Sequence, residues 1–219
     1  MVINVKILYI DKDIIVCIKP YGVLSEDGGM PEMLSEECGG DVFCVHRLDR
    51  AVGGLMVYAR NKKAASALSA IISGGRLEKE YLAVVPDKLT QANGTFEDLL
   101  FHDRLKNRSF IVKRDRAGVK KAVLEYEKLD VSNSLALVRV RLITGRTHQI
   151  RCQFAGRGMP LAGDVKYGSA IRDCNIALFS WHLAFTHPFT GEKLNFAEFP
   201  EGKIWESFMA GIEKAKKNG

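Results

Sequence analysis

Three short stretches crowd polar side chains beside glycine. "HRLDRAVGGL" (46–55) sets one carboxylate, Asp49, between Arg47 and Arg50, followed by Gly53 and Gly54. "LITGRTHQIR" (142–151) carries Arg146, His148, Gln149 and Arg151, and "LAGDVKYG" (161–168) carries Asp164 and Tyr167. A carboxylate paired with an arginine stays ionised and can act as a nucleophile or a base. The same pairing also serves as a structural ion pair, and at this level both readings stay open. Acid–base cleavage of a glycoside needs two carboxylates at a set separation. No second acid lies near Asp49 in sequence, although Asp164 could approach in space. Metal catalysis wants clustered His, Asp and Glu, and His46 three residues before Asp49 is thin material for that; no metal is expected.

The elements that must position these groups read as follows. "VKILYIDKDIIVCIKP" gives two strands around a turn at 11–13, and "MPEMLSEECGG" a short helix stopped by Gly39 and Gly40. "GLMVYAR" (54–60) is an apolar run of strand length. In "NKKAASALSAIISGG" (61–75), Asn61 suits an N-cap, Ala64, Leu68, Ile71 and Ile72 share a face, and two glycines end the helix. "KEYLAVVP" (79–86) is a strand, and two more strands run near 122–130 and 135–143, where Val138, Val140 and Leu142 alternate with Arg139, Arg141 and Ile143. The spacing predicts a helix over 147–158, two strands around "HPFTG", and one amphipathic helix over 203–217 with Ile204, Phe208 and Ile212 on a face. A strand-to-helix junction at 142–151 turns backbone N–H groups towards a pocket.

Together these predict an α+β chain, one domain over 1–219 with a core of about 5–200, in which helices flank a mixed, mostly antiparallel central sheet. Apolar residues make up 47% of the 219, ample for a core. There is no apolar run of about 18 residues and no signal-peptide pattern, so a cytoplasmic protein without a membrane partner is expected. The five cysteines are odd in number and form no CxxC pair, so reduced, mostly buried thiols are expected. Net charge is +6. Between 104 and 121 lie Arg104, Lys106, Arg108, Lys113, Arg114, Arg116, Lys120 and Lys121 against one acid, Asp115. That run is a solvated basic loop or a phosphate-contacting one.

Taken in order, "IKPYGVL", "HRLDRAVGGLMVYAR", "KEYLAVV", "LITGRTHQIRCQFAGRGMPLAGDVKYG" and "LAFTHPFTGEKLNF" resemble the RluA-type pseudouridine synthases over about residues 5–200. The resemblance implies a pseudouridine synthase fold with a basic catalytic cleft, and isomerisation of a uridine in ribosomal or transfer RNA without cofactor or metal. The C1′–N1 bond breaks, the base rotates, and C5 bonds to C1′. Asp49 matches the catalytic aspartate, which either attacks covalently or removes a proton on a glycal-type route. Arg146 matches the basic residue that pairs with it, and Tyr81 the tyrosine that stacks on uracil. The target must leave its stack to reach a buried carboxylate, so base flipping is implied. Arg47 is then placed to fill the vacated space or grip its phosphate. Arg151 either lines the pocket against the RNA or has a purely structural role in holding the helix, and Lys113, Arg114 and Arg116 contact RNA. The implied partner is RNA alone, bound by a monomer.

Two departures stand out. The family block continues HRLDxxTSG, whereas Val52 and Gly53 stand here in place of Thr and Ser. Two hydroxyls that would bond neighbouring backbone are lost, which leaves a non-catalytic RNA-binding or RNA-folding protein as the alternative reading. The S4-type RNA-binding domain that some relatives carry is also not expected before Val5.

Overall fold

The computed structural model describes residues 5–217. They fall into two compact units: residues up to Lys79 with Phe179–Pro200, and Glu80–Leu178 with the residues from Glu201 on.

In the first unit, β1 (Ile7–Ile10) and β2 (Ile14–Lys19) form the predicted hairpin, and β2 pairs antiparallel with β4 (Gly53–Ala59). A two-residue strand, β3 (Phe43–Cys44), adds to β4. β4 also pairs in parallel with β10 (Leu178–Thr186), which carries β11 (Lys193–Ala197) antiparallel beyond the "HPFTG" turn. All seven residues of β4 are buried, as expected of a strand covered on both faces. Helix α2 (Lys62–Ser73) begins where Asn61 Oδ1 accepts from the Ala64 N–H at 2.8 Å. Its apolar face, Ala64, Leu68 and Ile71, closes a core with Ile14, Val16, Leu55, Val57, Leu183 and Phe185. Helix α1 (Met30–Cys38) is the short one expected before Gly39.

The second unit is an antiparallel sheet in the order β5 (Glu78–Pro86), β9 (Leu135–Leu142), β8 (Val119–Ser132), β6 (Asn93–Asp103) and β7 (Arg108–Val112). Val138 and Val140 are fully buried, while Arg141 is exposed, as the alternation requires. Helix α3 (Gln149–Ala155) buries its first six residues.

Two elements depart from the sequence reading. The basic run is not one loop. Arg108 opens β7 and Lys120 and Lys121 lie in β8, so the cations occupy a hairpin tip at 104–107, a loop at 113–118 and the strands beside them. The C-terminal helix is broken into α4 (Lys203–Glu206) and α5 (Met209–Lys217). Its buried residues are Trp205, Phe208, Ile212 and Ala215, with Ile204 only half-buried. The break re-aims α5 so that Gly211 meets β8: its N–H donates to Asp130 Oδ2 at 3.1 Å, and a Cβ there would lie 2.5 Å from the Asp130 Cβ. The five cysteines are free thiols, with Cys17 and Cys152 buried. No helix among the described residues is long and apolar enough to cross a membrane.

Candidate active site

Asp49 lies half-buried in the loop between β3 and β4. The loop is held from several sides. Ser25 Oγ donates to the Leu48 carbonyl at 2.8 Å and accepts from the Leu48 N–H at 3.0 Å. The Gly22 N–H donates to the Arg50 carbonyl, and Arg50 Nε donates back to the Gly22 carbonyl, both at 2.8 Å. Beneath them Lys19, fully buried, donates to the carbonyls of Pro20, Val23 and Arg50. Burial pushes the Lys19 ammonium down to about 8, while the charge of Asp49 pulls the other way. Sequence reading missed Lys19 and Ser25. The signal was a lysine ending the apolar strand "IIVCIK" just before Pro20.

The Val52–Gly53 departure has a structural account. The turn bond after Asp49 comes from the Val52 main chain, whose N–H donates to the Asp49 carbonyl at 2.9 Å, so no hydroxyl is required for it. A Cβ on Gly53 would lie 3.1 Å from the Tyr21 ring and 3.3 Å from the Lys19 carbonyl, so glycine makes room for that ring. Gly54, at φ +124°, would put a Cβ 2.4 Å from the Ser180 carbonyl oxygen. Only glycine lets β4 approach β10 this closely.

His46 accepts from the Val57 N–H at Nε2 (3.2 Å), which places its proton on Nδ1, 3.0 Å from Lys79 Nζ. That contact is best made by a neutral amine. Burial favours that form, pushing Lys79 down to about 8, and pushes His46 well below its ordinary value. His46 thus ties the Val57 main chain to Lys79. Arg47 is exposed and paired with Glu26 at 2.8 Å, both side chains half in solvent. Such a pair contributes about 0–1 kcal/mol and opens readily to a phosphate.

In the second unit, the Gln149 side chain stitches the 142–151 junction. Its Oε1 accepts from the Thr144 hydroxyl and the Arg146 N–H, and its Nε2 donates to the Val123 carbonyl. His148, at φ 53°, ψ 27°, takes a left-handed conformation at the helix start, strain of about 1–3 kcal/mol held by its surroundings. The two arginines differ sharply. Arg146 is partly exposed and donates through Nε to the Lys121 carbonyl at 2.9 Å. Arg151 is buried and grips Asp164 through two bonds, Nε to Oδ2 at 2.7 Å and Nη2 to Oδ1 at 2.9 Å, with side chains 5% and 0% exposed. Tyr81 is buried in β5, opposite Val140. Lys113, Arg114 and Arg116 are all exposed in the loop before β8, and the Arg116 guanidinium lies 5.1 Å from the Phe101 ring centre.

One trio could be taken for a metal centre. Asp11, Asp13 and His187 bring ligand atoms within 4.8 Å of one another. Several of their atoms already serve other partners. His187 Nδ1 accepts from the Phe189 and Thr190 N–H groups, which puts its proton on Nε2, 3.1 Å from Asp11 Oδ2. Asp11 Oδ1 accepts from the Asp13 and Ile14 N–H groups, and Asp13 Oδ1 from the Asn61 amide. Against the upward push of burial, the Ile14 and Asp13 N–H groups hold Asp11 below the usual carboxylate range. The trio ties the β1–β2 turn to the β10–β11 turn.

The fold and the family match place the chain in a class of RNA-modifying isomerases. The family model for RNA pseudouridylate synthase matches residues 13–156, and the chain belongs to that family. It is 32% identical over 232 residues to the uncharacterized RNA pseudouridine synthase YlyB of Bacillus subtilis, covering 99% of this chain and 74% of that one. It is 28% identical over 225 residues to the ribosomal large subunit pseudouridine synthase D of Zymomonas mobilis, covering 91% and 70%. The fold is shared with the human RNA pseudouridylate synthase domain containing 1 (TM-score 0.77, 23% identity, 91% of this chain and 85% of that one). It is shared equally with the human RNA pseudouridylate synthase domain containing 4 (TM-score 0.76, 22% identity, 95% and 93%).

Proposed function

We propose that this chain, acting as one catalytic domain, converts a specific uridine in a ribosomal or transfer RNA stem-loop to pseudouridine, with Asp49 as the catalytic carboxylate. The observation that carries the reading is the clamping of the Asp49 loop by Ser25, Gly22 and the buried Lys19, which holds the main chain on both sides of this carboxylate. Fixed geometry at a reacting group lowers the barrier by removing the need to order it during reaction. Ribosomal RNA is favoured because relatives of this chain are named large subunit synthases. The target uridine flips out of its stack, Tyr81 lies against its ring, and Arg47 leaves Glu26 to hold the phosphate or fill the gap. Lys113, Arg114 and Arg116 contact the backbone of the flanking RNA.

The family resemblance implies the role of charge partner for Arg146 and a pocket-lining or structural role for Arg151. Their surroundings favour the exchange. Arg151 is the guanidinium held rigid and dry by a carboxylate, the state that suits a fixed catalytic cation. Arg146 is the half-solvated one that suits a phosphate.

The test uses cells lacking the gene, complemented with wild type or Asp49→Asn, with pseudouridine mapped chemically across ribosomal and transfer RNA. A uridine modified by the wild type and not by the variant supports the proposal and names the substrate. No difference between the null and wild-type strains overturns it in favour of a non-catalytic RNA-binding protein.

A further inference from the structure

The β6–β7 hairpin and the strand beside it enclose a cavity of about 650 Å³, wholly within the second unit. That volume suits a bound small molecule or a single nucleotide. Its cations are Arg104, Lys120 and Arg146, against one acid, Asp103. One oxygen of that acid is already used, since Asp103 Oδ1 accepts the Lys106 N–H that forms the hairpin turn. His102 brings a directed polar atom. Ser109 Oγ donates to the Thr147 carbonyl at 2.6 Å, so its oxygen accepts from His102 Nδ1 at 3.2 Å. That tautomer leaves Nε2 as an acceptor. The His102 ring is braced edge-on by His148, 6.1 Å away, and His148 by Tyr167, whose hydroxyl accepts the Ser109 N–H.

The rim is as telling as the floor. Leu105 stands at the hairpin tip 100% exposed, between Arg104 and Lys106. The tip is not loose. The Asn107 N–H closes on the Arg104 carbonyl, and Lys166 Nζ donates to the Asn107 carbonyl at 3.0 Å. An apolar side chain presented on a braced, cationic turn is the arrangement of a wedge that enters a base stack.

We propose that this cavity seats a second nucleotide of the RNA, distinct from the uridine that reacts, with Leu105 wedged against its base, His102 Nε2 accepting a base N–H or a 2′-hydroxyl, and Arg104 and Lys120 holding its phosphate. The inference rests on the RNA-acting reading but not on catalysis by Asp49.

The test measures binding of fluorescein-labelled octauridylate to the full chain at several salt concentrations. Leu105→Ser and His102→Ala should each weaken binding about tenfold, the range of a lost base contact, and leave the salt dependence unchanged. Lys120→Glu should flatten it. Ultraviolet cross-linking of the wild-type complex, which needs no variant to fold, should label the peptide spanning 101–109. Affinities within twofold of wild type for both Leu105→Ser and His102→Ala, or no adduct on that peptide, would overturn the proposal. If the adduct and the losses appear while no uridine is modified in cells, this inference stands and the synthase reading falls. If uridine is modified and neither appears, the reverse holds.

Discussion

Replacing Asp164 by Asn tests the reading of Arg151 most directly. The substitution keeps the shape and leaves intact the main-chain bonds at 164, where the carbonyl accepts from the Tyr167 and Ser169 N–H groups. It removes the charge opposite a guanidinium that is 5% exposed, and it turns an NH2 group towards a hydrogen-bond donor at 2.7 or 2.9 Å. Breaking a buried ion pair from one side costs about 3–5 kcal/mol, mostly from the charge left behind. With a urea slope of about 2–3 kcal/mol per molar, the unfolding midpoint should fall by about 1–2 M. Arg151→Met with Asp164→Leu should recover most of that stability, because no lone charge remains. It should not recover activity. Single-turnover pseudouridine formation by the folded double variant should be at least about a hundredfold slower, the scale of a lost fixed donor. Arg146→Ala should instead raise KM with little change in kcat. An unmoved midpoint in Asp164→Asn, or full activity in the double variant, would refute the assignment of a catalytic cation to Arg151.

Other outcomes follow from the same geometry. Converting Lys113, Arg114 and Arg116 to Ala should make the plot of log affinity against log salt shallower by about 2, at about 0.7 for each single-strand phosphate contact, as read by filter binding. Gly54→Ala must move the Ser180 main chain; thermal unfolding should show a net loss, where an ordinary Gly→Ala change inside a strand stabilises by about 0.5–1 kcal/mol. Lys19 gives a pH signature. Its folded value near 8 lies below the unfolded ~10.4, so the unfolded chain holds more protons between those values, and the Lys19 contribution to stability rises with pH there. The stability gap between wild type and Lys19→Met should therefore widen by about 2 kcal/mol from pH 7.5 to pH 9.5. A gap that is constant or narrowing would contradict a desolvated ammonium. Glu26→Gln should release Arg47 and tighten RNA binding up to about fivefold, since the pair it breaks contributes at most ~1 kcal/mol.

The regular elements were legible where one rule governed a whole segment. Periodicity and an Asn cap place α2, and unbroken apolar character places β4. The strands β6 and β7 escaped because their burial is partial and β6 is largely polar, and the charge run overlying β7 and the start of β8 masks a strand pattern. The break between α4 and α5 depends on what Gly211 touches on β8, which no local pattern encodes. At the site, the motif residues are visible as types, but their roles depend on partners far away in sequence. Asp164 distinguishes Arg151 from Arg146, thirteen residues along the chain, and Ser25 reaches Leu48 across twenty-three.

The three carbonyls gathered by Lys19 have a kinetic consequence. Two belong to the loop at 20–23 and one to the loop that bears Asp49, while Lys19 itself ends β2. A segment tied to the core through a buried ammonium cannot open alone without stranding that charge, so the Asp49 loop should exchange its amide protons only when β2 does. Most reactive loops belong to the least stable part of a protein. Here the Leu48 and Val52 amides, both hydrogen-bonded at the loop, should show protection factors close to those of Val16 and Val57 in the sheet. The reactive carboxylate would then be lost in the same cooperative step as the sheet of its unit, not before it.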